Sequence, residues 1–352
     1  MSKTLIRQCV GIDCSKDELV VAFGVMRDDL DVQIVSNERF RNSAAGFKKL
    51  HQWSKKLSNT ELKLTYVIEA TGVYHEKVSL FLHNGGESIS VMLPAKVKAF
   101  SKTLKVKTVN DKTCAQTISI LGLEKKLDLW KPAHPIFRKI KQLTREREQV
   151  IVELTQSKNQ LHAEESGAWP NAGSVRRVKQ RIRLLEKQAL EIEHEVKALI
   201  DENQWLSEKV QKICTIKGIG FMTVAIILGE TDGFNLVKNK KQLVSYAGLD
   251  VIERESGTSI KGKTRISGRG NKHIRKALYF PALSAIRSSE TMKNLFARIV
   301  ARNGIKMKAG VAVQRKLLEL VFVLWKNNTT FDPNYHKSKE SNEHALLPVE
   351  LA

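Results

Sequence analysis

The first third of the chain alternates short apolar segments with segments of helical periodicity. Runs rich in β-branched and aromatic residues predict strands, and they occupy 9–24 (two runs around a polar turn), 32–40, 64–70 and 89–94. Two intervening segments, 44–57 and 74–84, have apolar residues at helical spacing, as at Leu50, Trp53 and Leu57. Strands interleaved with helices predict an α/β layer fold.

The middle of the chain has a different periodicity. Apolar residues recur at alternating spacings of three and four, at Val175, Val178, Ile182, Leu185, Ala189, Ile192, Val196 and Leu199, which is typical of a coiled coil. A similar stripe runs from Ile136 to Leu161 and is interrupted at Arg147 and Ser157, and the Pro- and Gly-containing segment 164–174 predicts a turn. The pattern therefore predicts two long antiparallel helices.

Two interpretations of these helices are compatible with the pattern. They can form an ordinary hairpin packed on its own domain, or an extended arm that holds protomers together. Charged residues at nearly every other position favour the coiled-coil arm.

The last third predicts a compact helical region that begins near residue 213 and ends near 330. The polar tail that follows, from Pro333, is predicted to be disordered. The predicted organisation is α/β plus α: an α/β domain (1–130), the arm (131–210), a helical domain (211–332) and the tail (333–352).

Charge indicates the class of partner. The 352 residues include 59 Lys and Arg against 37 Asp and Glu, a formal net charge of +22. Such a surface attracts phosphate polyanions, so nucleic acid is favoured over an acidic membrane surface. The sequence lacks an apolar run of about 18 residues and an apolar signal-peptide core, and its four cysteines lack CxxC spacing. We therefore expect a cytoplasmic protein with reduced thiols and no membrane partner.

Three carboxylates stand out by their context. Asp13, in VGIDCSK, and Glu69, in YVIEATG, each end an apolar strand, and Asp111 lies at a predicted helix start. Burying one carboxylate alone is costly, whereas several can share Mg²⁺, which takes oxygen ligands and serves phosphoryl transfer. A surface position or a helix cap explains any one of them. For Asp13 and Glu69 together, the residues leave both interpretations open.

Two later segments suit a nucleic-acid backbone. The KGIG turn at Lys217, Gly218 and Gly220 resembles a helix-hairpin-helix turn, although a plain helix-to-helix turn is equally compatible. A Gly-rich basic segment follows, and its candidate contacts are Lys261, Lys263, Arg265, Arg269, Lys272 and Arg275. Ser256, in RESGTS, lies in this segment, and from composition alone it is a turn residue.

In their order along the chain, the motifs GIDCSK, IEATGVY, the Asp111 helix, KGIGFMTVAIILGE, SYAGLD, RESGTS and SGRGNKHIRKALY resemble the insertion sequence 110 family of transposases. The resemblance covers roughly residues 9–330 and extends to the related Piv-type DNA invertases. It implies a RuvC-like N-terminal domain of the ribonuclease H type with four acidic residues, a coiled coil, and a C-terminal transposase domain with a reactive serine. It also implies DNA recombination guided by a structured bridge RNA.

By motif match, Asp13, Glu69 and Asp111 take the first three acidic positions, and Ser256 takes the serine position. The fourth acidic position departs from the family pattern, because Asp-x-x-Asp-Ala is here Asp111-Lys-Thr-Cys114-Ala115. Since thiols are poor ligands for hard cations, we predict that Cys114 does not bind Mg²⁺. Three carboxylates can suffice, another acid or a water can complete the set, or this copy can be impaired.

These inferences predict a DNA transposase or recombinase that works by phosphoryl transfer without ATP. Ser256 would attack a DNA phosphate while the Mg²⁺ site stabilises the transition state. The predicted partners are DNA, a structured guide RNA and further copies of the chain, in a dimer or tetramer. Two other functions stay open: a RuvC-like Holliday-junction nuclease that uses water, and a catalytically impaired, basic nucleic-acid-binding protein.

Overall fold

The computed structural model describes residues 4–104, 108, 110–252, 255–256, 260–261 and 265–333, and only the backbone of 255, 256, 260, 261 and 303. The chain divides into two compact units, Met1–Pro132 and Ala133–Ala352. Of the predicted disordered tail, residues 334–352 lie outside the described part.

The first unit is built on one five-stranded sheet. Its strands are β1 (Leu5–Cys14), β2 (Glu18–Arg27), β3 (Val32–Arg41), β4 (Leu64–Glu69) and β5 (Ser88–Met92), in the order β3-β2-β1-β4-β5. The first three strands form an antiparallel meander, and β4 and β5 continue the sheet parallel to β1. The α/β architecture predicted from the sequence is confirmed, and each predicted strand segment contains a strand.

Helices cover both faces of this sheet: α1 (Ala44–Leu57), α2 (Glu76–Asn84), α3 (Pro94–Ser101) and α4 (Asp111–Glu124). Because side chains alternate along a strand, β1 contributes to two cores. Val10 and Ile12 pack with residues of α1 and α2, whereas Cys9 packs with Ile118 of α4. The alternation therefore places Asp13, two residues beyond Gly11, on the α4 side of the sheet.

Gly11 lets α4 approach β1 closely. A Cβ atom at Gly11 would lie 2.3 Å from the Ala115 carbonyl oxygen and 2.3 Å from the Ser119 amide nitrogen. Ser119 fixes the contact by donating its hydroxyl to the Cys9 carbonyl at 3.1 Å. Backbone thus packs against backbone, and the first turn of α4 is held beside the end of β1.

The second unit is helical. Its helices are α5 (Pro135–Ser166), α6 (Ala172–Asp201), α7 (Gln204–Cys214), α8 (Phe221–Thr231), α9 (Lys240–Ala247), α10 (Lys272–Ala277), α11 (Tyr279–Ser288), α12 (Glu290–Asn303) and α13 (Lys306–Asn327). Between α9 and α10 the described residues include the two-residue strands β6 (Val251–Ile252), β7 (Glu255–Ser256), β8 (Ile260–Lys261) and β9 (Arg265–Ile266). The helix α8 lies in the core, with Val224, Ala225, Ile227 and Leu228 fully buried. None of the described helices is long and apolar enough to cross a membrane.

Helices α5 and α6 form the predicted antiparallel pair. Ion pairs connect Arg147 with Glu193, Lys158 with Glu186, and Glu165 with Lys179, so sequence positions run in opposite directions along the two helices. The helix α5 continues through the two predicted interruptions: Arg147 makes the first of these ion pairs, and Ser157 is buried in the stripe. The connection is shorter than predicted and comprises residues 167–171.

The apolar stripe of α6 is buried within one chain. From Val178 to Val196 its buried residues face α5, and Ile182 and Ile192 are 8% and 7% exposed. The stripe is therefore not available to a second chain, which corrects the expectation that it holds protomers together. Association of protomers stays a prediction, and it would use another surface.

The boundary predicted between residues 210 and 211 falls inside α7. Leu206, Val210 and Ile213 of this helix are buried in the same core as Phe137 of α5 and Val196 of α6. The base of the helical hairpin and the C-terminal helices thus share one hydrophobic core. The change of composition near residue 213 could not reveal this shared core.

Gly11→Ala should destabilise the first unit, because the new methyl group would overlap the backbone of α4. We expect the free energy of unfolding to fall by at least about 2 kcal/mol in chemical denaturation. The control is Gly310→Ala in α13, where a Cβ atom meets nothing within 4 Å and should stabilise the helix by about 0.5–1 kcal/mol. Equal stability of Gly11→Ala and the wild type would show that α4 does not need this close approach.

Ile182→Ala should weaken the hairpin by about 2–4 kcal/mol without changing the molar mass of the protein in light scattering. The matched control is Leu184→Ala, because Leu184 lies on the same helix with 55% exposure and should change stability by less than about 0.5 kcal/mol. Hydrogen exchange along α5 and α6 measures how much each variant loses in the stability of the hairpin. A shift of Ile182→Ala toward a smaller species would mean that the stripe joins two chains after all.

Candidate active site

Asp13 and Glu69 lie at the ends of two neighbouring parallel strands. Ile12 of β1 pairs with Ile68 of β4, so the next residues, Asp13 and Glu69, lie at the same edge of the sheet. The alignment follows from the apolar runs that precede them, because each run forms a buried strand: Asp13 is the second-last residue of β1, and Glu69 is the last residue of β4.

Asp111 begins α4 at the helix end nearest to Asp13. Asn110 is the N-cap, and a capping box fixes the start: its side chain accepts a hydrogen bond from the Thr113 amide at 2.9 Å, and its own amide donates to the Thr113 hydroxyl at 2.9 Å. Cys114 follows one helical turn after Asp111. The cap and the close packing at Gly11 together define where Asp111 and Cys114 lie.

The carboxylates act on one another electrostatically. Burial raises the pKa of Asp13, and the charge of Asp111 raises it further. Burial also raises the pKa of Glu69, and the charge of Asp13 adds to this effect. The three predicted acidic residues are thus brought into one field of negative charge.

In the described part of the chain, these carboxylates are not neutralised by ion pairs. Within that part, no Lys, Arg or His forms an ion pair with Asp13, Glu69 or Asp111. Glu69 accepts a long hydrogen bond of 3.5 Å from the Thr71 hydroxyl. Among the described residues, no three His, Cys, Asp or Glu side chains form a cluster that could hold a metal ion as they stand.

Two thiols border the same field. Burial raises the pKa of Cys14 to about 12, and Asp13 and Glu69 contribute to the rise. Burial likewise raises the pKa of Cys114, with further contributions from Asp13, Glu69 and Asp111. Both groups therefore stay protonated at neutral pH when no cation is bound.

In the second unit, Ser256 lies in the segment between α9 and α10 that contains the short strands β6 to β9, an excursion of the chain from the helical core. The strands β6 and β9 pair at its base through Val251 and Ile266, and β7 and β8 pair further out, with Ser256 opposite Ile260. The sequence predicted a glycine-rich loop here and not these strand pairs, because two-residue strands have no periodicity to detect. The side chains of Ser256 and Lys261, and the whole of Lys263, lie outside the described part.

The predicted nucleic-acid contacts differ in their surroundings. Lys217, Arg265, Arg269 and Lys272 are exposed. Gly218 has a φ of +94°, which favours glycine, and Gly220 is the N-cap of α8. Arg275 is half-buried and donates to the Ala247 carbonyl at 2.8 Å, so part of its guanidinium holds the protein's own backbone.

Sequence reasoning missed a buried polar cluster at the base of this excursion. Glu230, on the apolar helix α8, is 1% exposed and binds Arg145 and Asn271. Its signal in the sequence is an acidic residue near the end of the apolar run FMTVAIILGE, a position that burial makes costly for an unpaired carboxylate.

Solved structures give a limited comparison. A structure of Thermus thermophilus RuvC and a structure of the same protein in complex with a Holliday junction substrate match with 13% and 12% identity and TM-scores of 0.28 and 0.27. Each match covers 35% of this chain and 100% of the RuvC chain. Scores this low do not support a shared activity.

Two curated relatives match along most of the chain, and a third matches along about a third of it. The pilin gene-inverting proteins of Moraxella bovis and Moraxella lacunata are both 27% identical over 96% of this chain and 100% of their own length. An uncharacterized 43.6 kDa protein of insertion element IS110 from Streptomyces coelicolor is 24% identical over 34% of this chain and 29% of its own length.

Two family models match, and together they span more than half of the chain. A model described as "Transposase" matches residues 10–164, which contain Asp13, Glu69 and Asp111. A model described as "Transposase IS116/IS110/IS902 family" matches residues 210–297, which contain Ser256 and the KGIG turn. The chain therefore belongs to the IS110 family of transposases and is a DNA recombinase.

Proposed function

We propose that this transposase cuts and rejoins DNA through Ser256, with a divalent cation held by Asp13, Glu69 and Asp111. The observation that carries the proposal is that Asp13 interacts electrostatically with both Glu69 and Asp111, and that none of the three forms an ion pair among the described residues. Family membership adds the expectation of a RuvC-like domain, and the sheet order β3-β2-β1-β4-β5 is compatible with it.

The donor set suits Mg²⁺. Carboxylate oxygens are the ligands that this hard cation prefers, and we expect the soft thiol of Cys114 to stay outside the set. When bound, the cation supplies positive charge to the phosphate under attack. Binding would also relieve the repulsion that raises the pKa values of Asp13 and Glu69, and it would draw the carboxylates closer together than they lie without it.

Ser256 would carry the covalent step. Its hydroxyl oxygen attacks the DNA phosphorus, a phosphoserine ester forms, the serine proton is lost, and a DNA hydroxyl leaves. The ester conserves the energy of the broken phosphodiester bond. The reverse attack by a DNA hydroxyl therefore rejoins a strand without ATP and regenerates Ser256.

Basic residues near Ser256 would hold the nucleic acid. Arg265 lies on β9 at the base of the excursion, Arg269 and Lys272 follow it, and all three are exposed. The net charge of +22 favours phosphate backbones. We extend this to a structured guide RNA, which rests on the family and on charge. The names of the Moraxella relatives indicate inversion of a gene, a reaction in which two DNA sites are cut and joined, so we also expect a dimer or tetramer.

Ser256→Ala should form no covalent protein–DNA adduct. The assay uses a plasmid that carries the gene with its flanking DNA, stops the reaction in denaturant and maps the linked residue by mass spectrometry. Ser259→Ala, at a neighbouring serine outside the described residues, is the control and should still form the adduct. An adduct that persists in Ser256→Ala would exclude this nucleophile, whereas DNA cleavage without any adduct would favour the nuclease that uses water.

Asp13→Asn should abolish recombination and leave duplex binding within about twofold of the wild type, because an amide keeps the shape but loses the charge that a cation needs. Asp17→Asn is the matched control, since Asp17 is an exposed carboxylate in the turn that follows β1. Plasmid recombination and electrophoretic mobility shift measure the two effects. Normal recombination by Asp13→Asn would refute the assignment of the site.

A further inference from the structure

The carboxylate of Glu230 is the centre of a buried polar cluster in the second unit. Arg145 of α5 donates to it twice, from Nε to Oε1 at 2.6 Å and from Nη2 to Oε2 at 3.0 Å. The Nδ2 of Asn271 donates to Oε2 at 2.6 Å, and the ammonium of Lys141 lies 3.6 Å from the same oxygen. Every contact of this carboxylate is therefore to a donor, which is what a buried charge requires.

Burial acts to raise the pKa of Glu230, but the hydrogen bonds from Arg145 and Asn271 and the charge of Lys141 hold it below its usual value. Glu230 is thus ionised at neutral pH. Its contacts are charge-assisted hydrogen bonds, which are stronger than neutral ones.

Asn271 connects Glu230 to the end of the Ser256 excursion. Its side-chain oxygen caps α10 by accepting from the His273 and Ile274 amides at 3.0 and 3.1 Å, while its Nδ2 binds Glu230. Its own amide donates to the Tyr246 carbonyl at 2.8 Å, and the Tyr246 hydroxyl donates to the Glu230 carbonyl at 2.8 Å. Asn271 therefore ties α8 to the start of α10 through its side chain, and both to the end of α9 through its backbone amide.

Backbone hydrogen bonds continue this connection into the base of the excursion. The Gly268 amide donates to the Gly248 carbonyl at 3.2 Å, and the Ser267 amide donates to the Asp250 carbonyl at 2.8 Å. The Ser267 hydroxyl also donates to the Asp250 carboxylate. The two chain segments that lead to and from Ser256 are therefore joined side by side, directly beyond Asn271.

A second set of contacts ties the same helix to the hairpin. Glu148 of α5 binds the His273 ring and accepts from the Lys276 ammonium at 2.9 Å, and both partners lie on α10. Arg145 and Glu148 are three residues apart on α5, so they project from one face of that helix. The helix α5 thus holds α10 both directly and through Glu230.

We propose that Glu230 is a positioning residue for the serine step: by binding Arg145 and Asn271 together, it fixes the base of the excursion that carries Ser256. The inference rests on the proposed nucleophile. It goes beyond that proposal by assigning a role to a residue that touches neither DNA nor the reacting atoms. Without this clamp, formed by Glu230 with Arg145 and Asn271, the excursion would still bind nucleic acid, but Ser256 would spend less time in the position for attack.

The test compares Glu230→Gln with the wild type in two measurements. Glutamine keeps the shape and loses the charge, so the hydrogen bonds to Arg145 and Asn271 weaken. Hydrogen exchange of the protein without ligand should accelerate about tenfold at the Ser267, Gly268 and Asn271 amides. Adduct formation at saturating plasmid should slow about tenfold or more, while affinity for a random-sequence duplex stays within about twofold.

Two further variants sharpen the test. Asn271→Ser keeps a capping oxygen for α10 but is too short to reach Glu230, so it should reproduce both effects, and the double variant should be no slower than the slower single one. It also carries the test if Glu230→Gln does not fold. The matched control is Glu87→Gln, at a carboxylate of the first unit that pairs with Lys55 and His51, each at 2.8 Å, and it should change neither measurement.

A merely structural role predicts a lower melting temperature with a normal adduct rate at temperatures where the variant is folded, and that result would overturn the inference. Unchanged exchange at the three amides would overturn it as well. If the wild type itself forms no adduct, the proposed function fails. The exchange measurement then still decides whether Glu230 holds the excursion.

Discussion

Repulsion among carboxylates is the constraint on which the first unit's site depends. Asp13 and Glu69 lie at the ends of adjacent parallel strands, and Asp111 begins the helix packed on them. The partly buried Asp13 therefore interacts electrostatically with the partly buried Glu69 and with the exposed Asp111. A carboxylate whose pKa is raised by folding costs stability at neutral pH, and the cost disappears as the pH falls through the raised pKa or when a cation binds. Because the folded protein retains this cost in stability, we expect the negative charge to have a function. Phosphoryl transfer on DNA is the function that fits the family.

The second unit manages buried charge in the opposite way. Glu230 is more buried than Asp13 or Glu69, yet donors satisfy both of its oxygens, and its pKa is lowered. The carboxylates of the first unit thus make no ion pair among the described residues, whereas the chain's own cations neutralise Glu230. The contrast separates a site that would bind a ligand from one that would hold the protein in shape.

The sequence revealed the elements of regular periodicity and the residues that end them. The apolar runs before Asp13 and Glu69 predicted two strands, and their common edge follows from the parallel pairing. The heptad stripe predicted α6 but could not tell whether its partner was α5 or a second chain, since both bury the same face. Packing within one chain at Ile182 answers that question.

Other features had no periodic signal. The close approach at Gly11 depends on a helix one hundred residues away in sequence, and a single glycine in a strand does not say what will approach it. The clamp at Glu230 joins residues of three helices and a cap, and it becomes visible once α5, α8 and α10 are side by side. Short strands such as β7 and β8 escape detection because pairing, not composition, defines them.

Direct titration with Mn²⁺ as a probe of the magnesium site tests the central claim, that the three carboxylates form one cation site. Isothermal titration calorimetry of the whole protein should show saturable binding that weakens as the pH falls through the raised pKa values of Asp13 and Glu69 and that releases protons near them. Asp13→Asn should lose this binding, and Asp17→Asn should keep it. Equal binding by the wild type and Asp13→Asn would contradict the account.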